Sequence, residues 1–187
     1  MKQFLILLQT IVYLSLLGCS SEPTVLKAVE SIDVDQFMGE WYVISNIAYF
    51  AENNKVGSKT TYLRAPDNTY QDIFESKDGS FNNETDKLIG SIKSTNVSNS
   101  KWESTFYWVI RFKFEVLEID EDYQIVLLGH KSRDYGWVMA RDKSISDEDY
   151  DKAMQTFKNN GYDTEKFGKV PQFPKDIGAP GYHLVTN

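Results

Sequence analysis

Few of the residue types that carry chemistry are available to this chain. Its 187 residues include two histidines, His130 and His183, and one cysteine, Cys19. A disulfide framework needs paired cysteines and a zinc centre needs about four Cys, His or acidic ligands, so no disulfide and no Cys/His cluster can be assembled within one chain. Nucleophilic hydrolysis would need a positioned Ser, His and acid, and no Gly-x-Ser-x-Gly elbow is present to offer the serine. Carboxylates are plentiful, but Asp120, Glu121 and Asp122 stand consecutively in a polar stretch, the habit of a solvated turn. A carboxylate becomes chemically interesting when it faces an apolar interior, because burial raises its pKa. Asp72 and Glu118 are the acids whose direction decides that question.

Charge narrows the partners. With 27 acidic against 20 basic residues the net charge is -7 and the pI is near 4.9. Nucleic-acid affinity comes largely from Lys and Arg neutralising phosphates, and with no basic block in the sequence no nucleic-acid partner is expected. The 41% hydrophobic and 14% aromatic content is that of one globular domain.

Cys19 points to a membrane instead. Lys2 precedes an apolar run from Phe4 to Leu17, shorter than the about 20 residues of a membrane span, which fits a secretory signal. Leu16-Leu17-Gly18-Cys19 resembles the lipobox of bacterial lipoproteins, which implies diacylation of the Cys19 thiol by chains such as palmitate and cleavage just before it. One acyl chain holds a protein marginally, whereas two or three hold it stably. The expected organisation is a signal over 1–18, a lipidated Cys19 with its tether over 19–32, a folded domain over 33–170 and a C-terminal extension over 171–187. Localisation follows as the cell envelope, with Ser20 compatible with onward transport to the outer membrane.

The elements that must position everything else are mainly strands. Gly39 to Ile47 is rich in aromatic and β-branched residues, and after an irregular polar stretch from Ala51 to Ser58 seven further β-like runs follow: 59–64, 70–75, 87–93, 101–107, 112–119, 123–130 and 135–141. Turn chemistry separates them, as at Ala65-Pro66-Asp67-Asn68 and Asp78-Gly79. Eight consecutive strands with short connections predict an antiparallel up-and-down meander that removes its free edges by closing into a barrel. One helix interrupts the pattern. Ser146 and Asp149 form its capping box, Tyr150, Met154 and Phe157 recur at helical spacing, and Asn160-Gly161 stops it. The late strands are apolar on both faces, so the helix is expected to pack outside them.

These pieces resemble the lipocalins, specifically the bacterial outer-membrane lipoprotein lipocalins related to apolipoprotein D and the plant temperature-induced lipocalins. The likeness rests on Asp33, Phe37, Gly39, Trp41 and Tyr42, then on Asp120 and Tyr123, then on Arg133-Asp134-Tyr135 with Trp137 and Arg141, and on Ser144 to Glu148 leading into the helix. Gly136 departs from the larger apolar residue usual in relatives, and the tail beyond Pro171 is longer. The resemblance implies an all-β, eight-stranded antiparallel barrel with one C-terminal α-helix outside. It also implies structural roles for Gly39, Trp41 and Arg141, the indole closing the barrel's bottom under the guanidinium.

A barrel of eight strands can hold one small ligand, and alternation names the inward residues. Val43, Ser45 and Ile47 share the face of Trp41; Met139 shares that of Trp137; Phe112, Phe114 and Val116 are the apolar face of their strand, with Tyr107 and Trp108 near a mouth. Arg111 and Lys113 are placed to pair with a carboxylate or phosphate head group there, or to remain solvated. The implied occupation is a membrane-anchored carrier of a small amphipathic lipid, a fatty acid or lysophospholipid, with no cofactor, no metal and no catalytic residues. Two others stay open: a lipocalin-fold enzyme with isomerase-like acid/base chemistry, and a scaffold lipoprotein with a filled interior. Pairing of two copies as a homodimer is likewise left open.

Overall fold

The computed structural model describes residues 25–65 and 69–186. The signal and Cys19 lie outside them. Eight antiparallel strands form the wall: β1 (Gly39–Ile47), β2 (Lys55–Arg64), β3 (Tyr70–Asp78), β4 (Thr85–Ser94), β5 (Lys101–Phe106), β6 (Ile110–Ile119), β7 (Ile125–Gly129) and β8 (Gly136–Ala140). Sequence neighbours pair throughout, and β1 pairs with both β8 and β2, so the meander closes on itself. The second strand begins earlier than its sequence pattern suggests. Lys55 and Val56 already pair with β3, and a register shift between Val56 and Lys59 absorbs the Gly57-Ser58 irregularity.

The closed end is built from local sequence. Asp33 caps a one-turn helix α1 (Val34–Phe37), its carboxylate accepting from the Asp35 and Gln36 amides. That turn drops Phe37 into the barrel, where it stacks on Tyr62 and Trp102 at centroid distances of 5.1 and 5.6 Å. Trp41 is fully buried and its indole N–H donates to the Phe37 carbonyl at 2.8 Å. Arg141 covers the ring from outside, its guanidinium carbon 3.6 Å from the ring centroid. The guanidinium also donates to the carbonyls of Gln36, Met38 and Glu40 at 2.7, 2.9 and 2.7 Å, fastening α1 across the barrel floor. Gly39, at φ +101°, lets the chain turn there, and a Cβ would come within 3.2 Å of that guanidinium.

Helix α2 (Asp147–Asn159) lies outside, as its stripe requires. Ser146 Oγ accepts from the Asp149 amide at 3.0 Å and donates to the Asp149 carboxylate at 2.6 Å. Ala153 and Phe157 bury against Ile44, Ile47, Leu117, Leu127, Val138 and Ala140. Two β-bulges produce this second apolar face. The register shifts between Val43 and Ser45 on β1 and between Val116 and Glu118 on β6, so Ile44 and Leu117 become extra outward residues beneath the helix. Gly136 now has a reason: a Cβ there would meet the rings of Phe167, Phe157 and Tyr162 at 3.0 to 3.2 Å.

The tail does more than lie on the surface. β1 and β2 pair only from Gly39 to Tyr42, above which they diverge. A short strand β9 (Gly168–Lys169) pairs with the upper half of β1, and buried Gln172 donates through Nε2 to the carbonyls of Val43 on β1 and Ser58 on β2, at 2.8 and 2.9 Å. The Gly57 amide donates to the Pro171 carbonyl. Residues 168–172 therefore stitch the seam that strand pairing leaves open between β1 and β2. Among the described residues, both apolar clusters draw only on Leu26 and later positions.

Candidate ligand-binding site

The barrel's other end is open and partly hollow. A small inner chamber of about 70 Å³ is lined by Val43, Phe112, Phe114, Trp137 and Met139 among others, and above it lies a vestibule of about 320 Å³. Tyr49, Phe74, Phe106 and Phe112 belong to the walls of both, so the two spaces adjoin. Tyr49 overhangs the junction. It stands on the β1–β2 loop, its ring 4.6 Å from that of Phe112 and 6.4 Å edge-on from that of Tyr135.

Two carboxylates enter the chamber. Asp72, on the inward face of β3, accepts from Thr60 Oγ at 2.5 Å and from Ser104 Oγ at 2.6 Å, and burial raises its pKa despite both bonds. Glu52 ends a one-turn 3-10 helix over Phe50–Glu52 that folds back from the β1–β2 loop into the barrel. Its Oε1 accepts from the Trp137 indole at 2.8 Å and its Oε2 from the Tyr49 amide at 3.2 Å. Burial pushes its pKa up to about 7, the hydrogen bonds only partly opposing that. Among the described residues no ion pair reaches either carboxylate. The interior thus carries two hydrogen-bond-accepting carboxyl groups with no counter-charge among the described residues. Near neutral pH Glu52 is partly protonated.

Five of the residues named from alternation line the chamber: Val43, Phe112, Phe114, Trp137 and Met139. Val116 faces inward too, but packs in the solid core below it. Ser45 and Ile47 do not share the face of Trp41. The bulge at Ile44 inverts the parity of the rest of β1, so Ser45 bonds outward to the Gly168 carbonyl and the Tyr150 hydroxyl, and Ile47 joins the helix-side cluster. Tyr107 lines the vestibule, whereas Trp108 projects from the rim, 93% exposed. Arg111 and Lys113 are corrected as well: with Phe112 and Phe114 inward they stand on the outer face of β6, and Lys113 pairs with Glu103 at 3.5 Å. The vestibule's own cations are Lys55, paired with Asp86 at 2.8 Å, and Lys87, 3.6 Å from Glu75. Of the two acids singled out by sequence, Asp72 faces in, while Glu118 is exposed and accepts from Thr156 of α2 at 2.5 Å. Glu52 escaped that reading because it falls in a polar loop with no periodicity, where nothing local announces an inward turn.

The pattern of the family described as "Lipocalin-like domain" matches residues 32–172. The chain is a lipocalin. Among curated proteins it is similar to temperature-induced lipocalin-1 of Arabidopsis thaliana, 28% identical over 159 residues that cover 81% of this chain and 86% of the relative. It is also similar to the outer membrane lipoprotein Blc of Escherichia coli (strain K12), 24% identical over 160 residues covering 83% of this chain and 89% of that one. Among solved structures, insecticyanin from the tobacco hornworm Manduca sexta superposes with a TM-score of 0.66, covering 87% of this chain and 91% of its own at 16% identity. That last likeness establishes the lipocalin fold: the eight-stranded closed barrel with its C-terminal helix.

Proposed function

We propose that this lipocalin is a lipid-anchored envelope protein that binds one amphipathic lipid through its open end, with the apolar chain descending past Tyr49 and the head group held at the rim. The observation that carries the reading is the adjacency of vestibule and chamber, which share four aromatic wall residues. The chamber alone, at about 70 Å³, is smaller than the roughly 150 Å³ that accommodates benzene in a protein interior. It takes a chain terminus. The vestibule, at about 320 Å³, falls in the range of small-molecule sites, roughly 300–1,000 Å³, and takes the rest.

Charge orients the guest. Two buried carboxylates disfavour an anionic head in the chamber, and the Lys55–Asp86 pair at the vestibule presents one charge of each sign. A zwitterionic lysophospholipid suits that better than a free fatty acid. The Blc relative is named an outer membrane lipoprotein, which supports the anchor inferred from Leu16 to Cys19 and an envelope location. The same two acids give the enzyme alternative its only foothold, since a protonated Glu52 could donate to a polar group on the guest.

The test is a titration of the purified chain with lysophosphatidylcholine and with a fatty acid, following Trp emission, because Trp137 lines the chamber. Saturable one-to-one change, tighter for the lysolipid and weakened by Met139→Trp, which fills the chamber, supports the reading. No change with either lipid favours a scaffold; recovery of an altered lipid from the mixture favours an enzyme.

A further inference from the structure

We propose that the rim of the barrel is itself a bilayer-docking surface: Phe50, Tyr107, Trp108 and Val109 sit in the membrane interface, so that the vestibule opens directly onto lipid. The orientation rests on the anchored-carrier reading above; the contact is carried by the surface itself.

Four large apolar side chains crowd one end of the molecule with little cover. Phe50, Tyr107, Trp108 and Val109 are 77, 68, 93 and 78% exposed. Phe50 and Tyr107 also line the vestibule, so this patch is the lip of the site. The β5–β6 connection is a hairpin loop over 107–109 in which Tyr107 and Trp108 both take left-handed φ, +49° and +60°. Such positions ordinarily carry Gly, Asn or Asp, and a bulky aromatic is an outlier there. Neither packing nor turn geometry accounts for these two residues. A membrane interface does, because amphipathic rings concentrate at the head-group level, and exposed Arg111 beside them suits the phosphates.

The N-terminal segment is compatible with the rim facing the bilayer. Lys27 donates its amide to Asn160 Oδ1, and the Asn160 carbonyl accepts from Arg133 in the β7–β8 turn. That turn belongs to the open end, since its Tyr135 meets Tyr49. From there the chain runs down the outside, its Val29 and Ile32 amides donating to the carbonyls of Val116 and Ser98, to reach α1 at the floor. The described chain therefore begins on the outer wall, below the β7–β8 turn and level with the middle of β6. Cys19 lies six residues before Val25, a reach of at most about 20 Å. A tilted ten-residue strand such as β6 gives the wall a height of about 25 Å. That reach is comparable with the height of the wall, so a lipidated Cys19 leaves the mouth free to meet the membrane.

Trp108 supplies its own probe, because the other three tryptophans are buried. The chain from Ser20, which keeps every described residue of both apolar clusters, is held by an N-terminal hexahistidine tag on phosphatidylcholine vesicles containing a nickel-chelating lipid and dibrominated acyl chains. Loss of red-edge Trp emission on the vesicles, its recovery on imidazole release, and its absence in Trp108→Ser are expected. Unquenched Trp108 on vesicle-held protein overturns the proposal. So does quenching that survives Trp108→Ser, which places a brominated chain beside Trp137 and not at the rim. Mass analysis of the N-terminal peptide of the full chain reads the Cys19 modification separately: a bare thiol with quenched Trp108 removes the anchor and leaves the rim contact standing.

Discussion

The two ends of this barrel are made from the same strands yet obey opposite rules. At the floor, Trp41, Phe37 and Trp102 pack closely beneath Tyr62, which also borders the chamber, and Arg141 places its guanidinium against an indole and three carbonyls. At the mouth, large rings stand exposed, two carboxylates are buried without a cation among the described residues, and the wall is completed by the tail. The floor pairs a cation with an aromatic face and carbonyls; the mouth holds two carboxylates that are hydrogen-bonded but have no counter-charge among the described residues. Stability is concentrated where nothing needs to enter, and it is relaxed where a guest must.

Breaking the floor gives the largest expected effect. Trp41→Ala removes a fully buried indole together with the surface that Arg141 covers, and should cost roughly 3–5 kcal/mol in urea unfolding. Lipid affinity of the protein that remains folded should stay at the parent value, because Trp41 does not touch the chamber. A loss of affinity equal to the loss of stability would show that floor and mouth are one cooperative unit.

Glu52 sharpens the contrast through pH. Its folded pKa of about 7 lies above the ordinary 4.5, so its stabilising share is fully present below about pH 4.5 and is lost as pH rises through about 7. The total is on the order of 3 kcal/mol. Parent and Glu52→Gln, unfolded in urea at a series of pH values, should diverge across that window, the parent weakening relative to the variant as pH rises. Parallel curves would mean that the carboxylate is solvated. Asp33 and Glu40, nearer the floor, have pKa values lowered by hydrogen bonds, so their share runs the other way, lost as pH falls.

The smallest effect is expected on the outer wall. Arg111→Ala and Lys113→Ala should leave lysolipid affinity unchanged at low salt and shift stability by less than about 0.5 kcal/mol, as for exposed charges generally. Lys55→Ala, at the vestibule, should weaken the same lysolipid measurably. Reversal of that order would put the head group outside the rim.

The strand count, the capped helix and the lipocalin floor were legible because each depends on residues close in sequence. Asp33 caps α1, Phe37 and Trp41 are four apart, and Ser146 meets Asp149 within one turn. Alternation also found the chamber-lining faces of β6 and β8. It failed on β1 beyond Val43, where one extra residue exchanges inside for outside, and a bulge leaves no mark in a run whose two faces are both apolar.

What the sequence alone determined is the closed meander, its floor and the side of the late strands that needs a helix, because these follow from short-range periodicity and capping. Only the tertiary structure decided that Glu52 turns inward, that Gln172 bridges β1 to β2, and that Arg111 and Lys113 face away from the mouth. Those outcomes depend on where distant segments leave a gap, and a gap is a property of the assembled wall rather than of any stretch of chain.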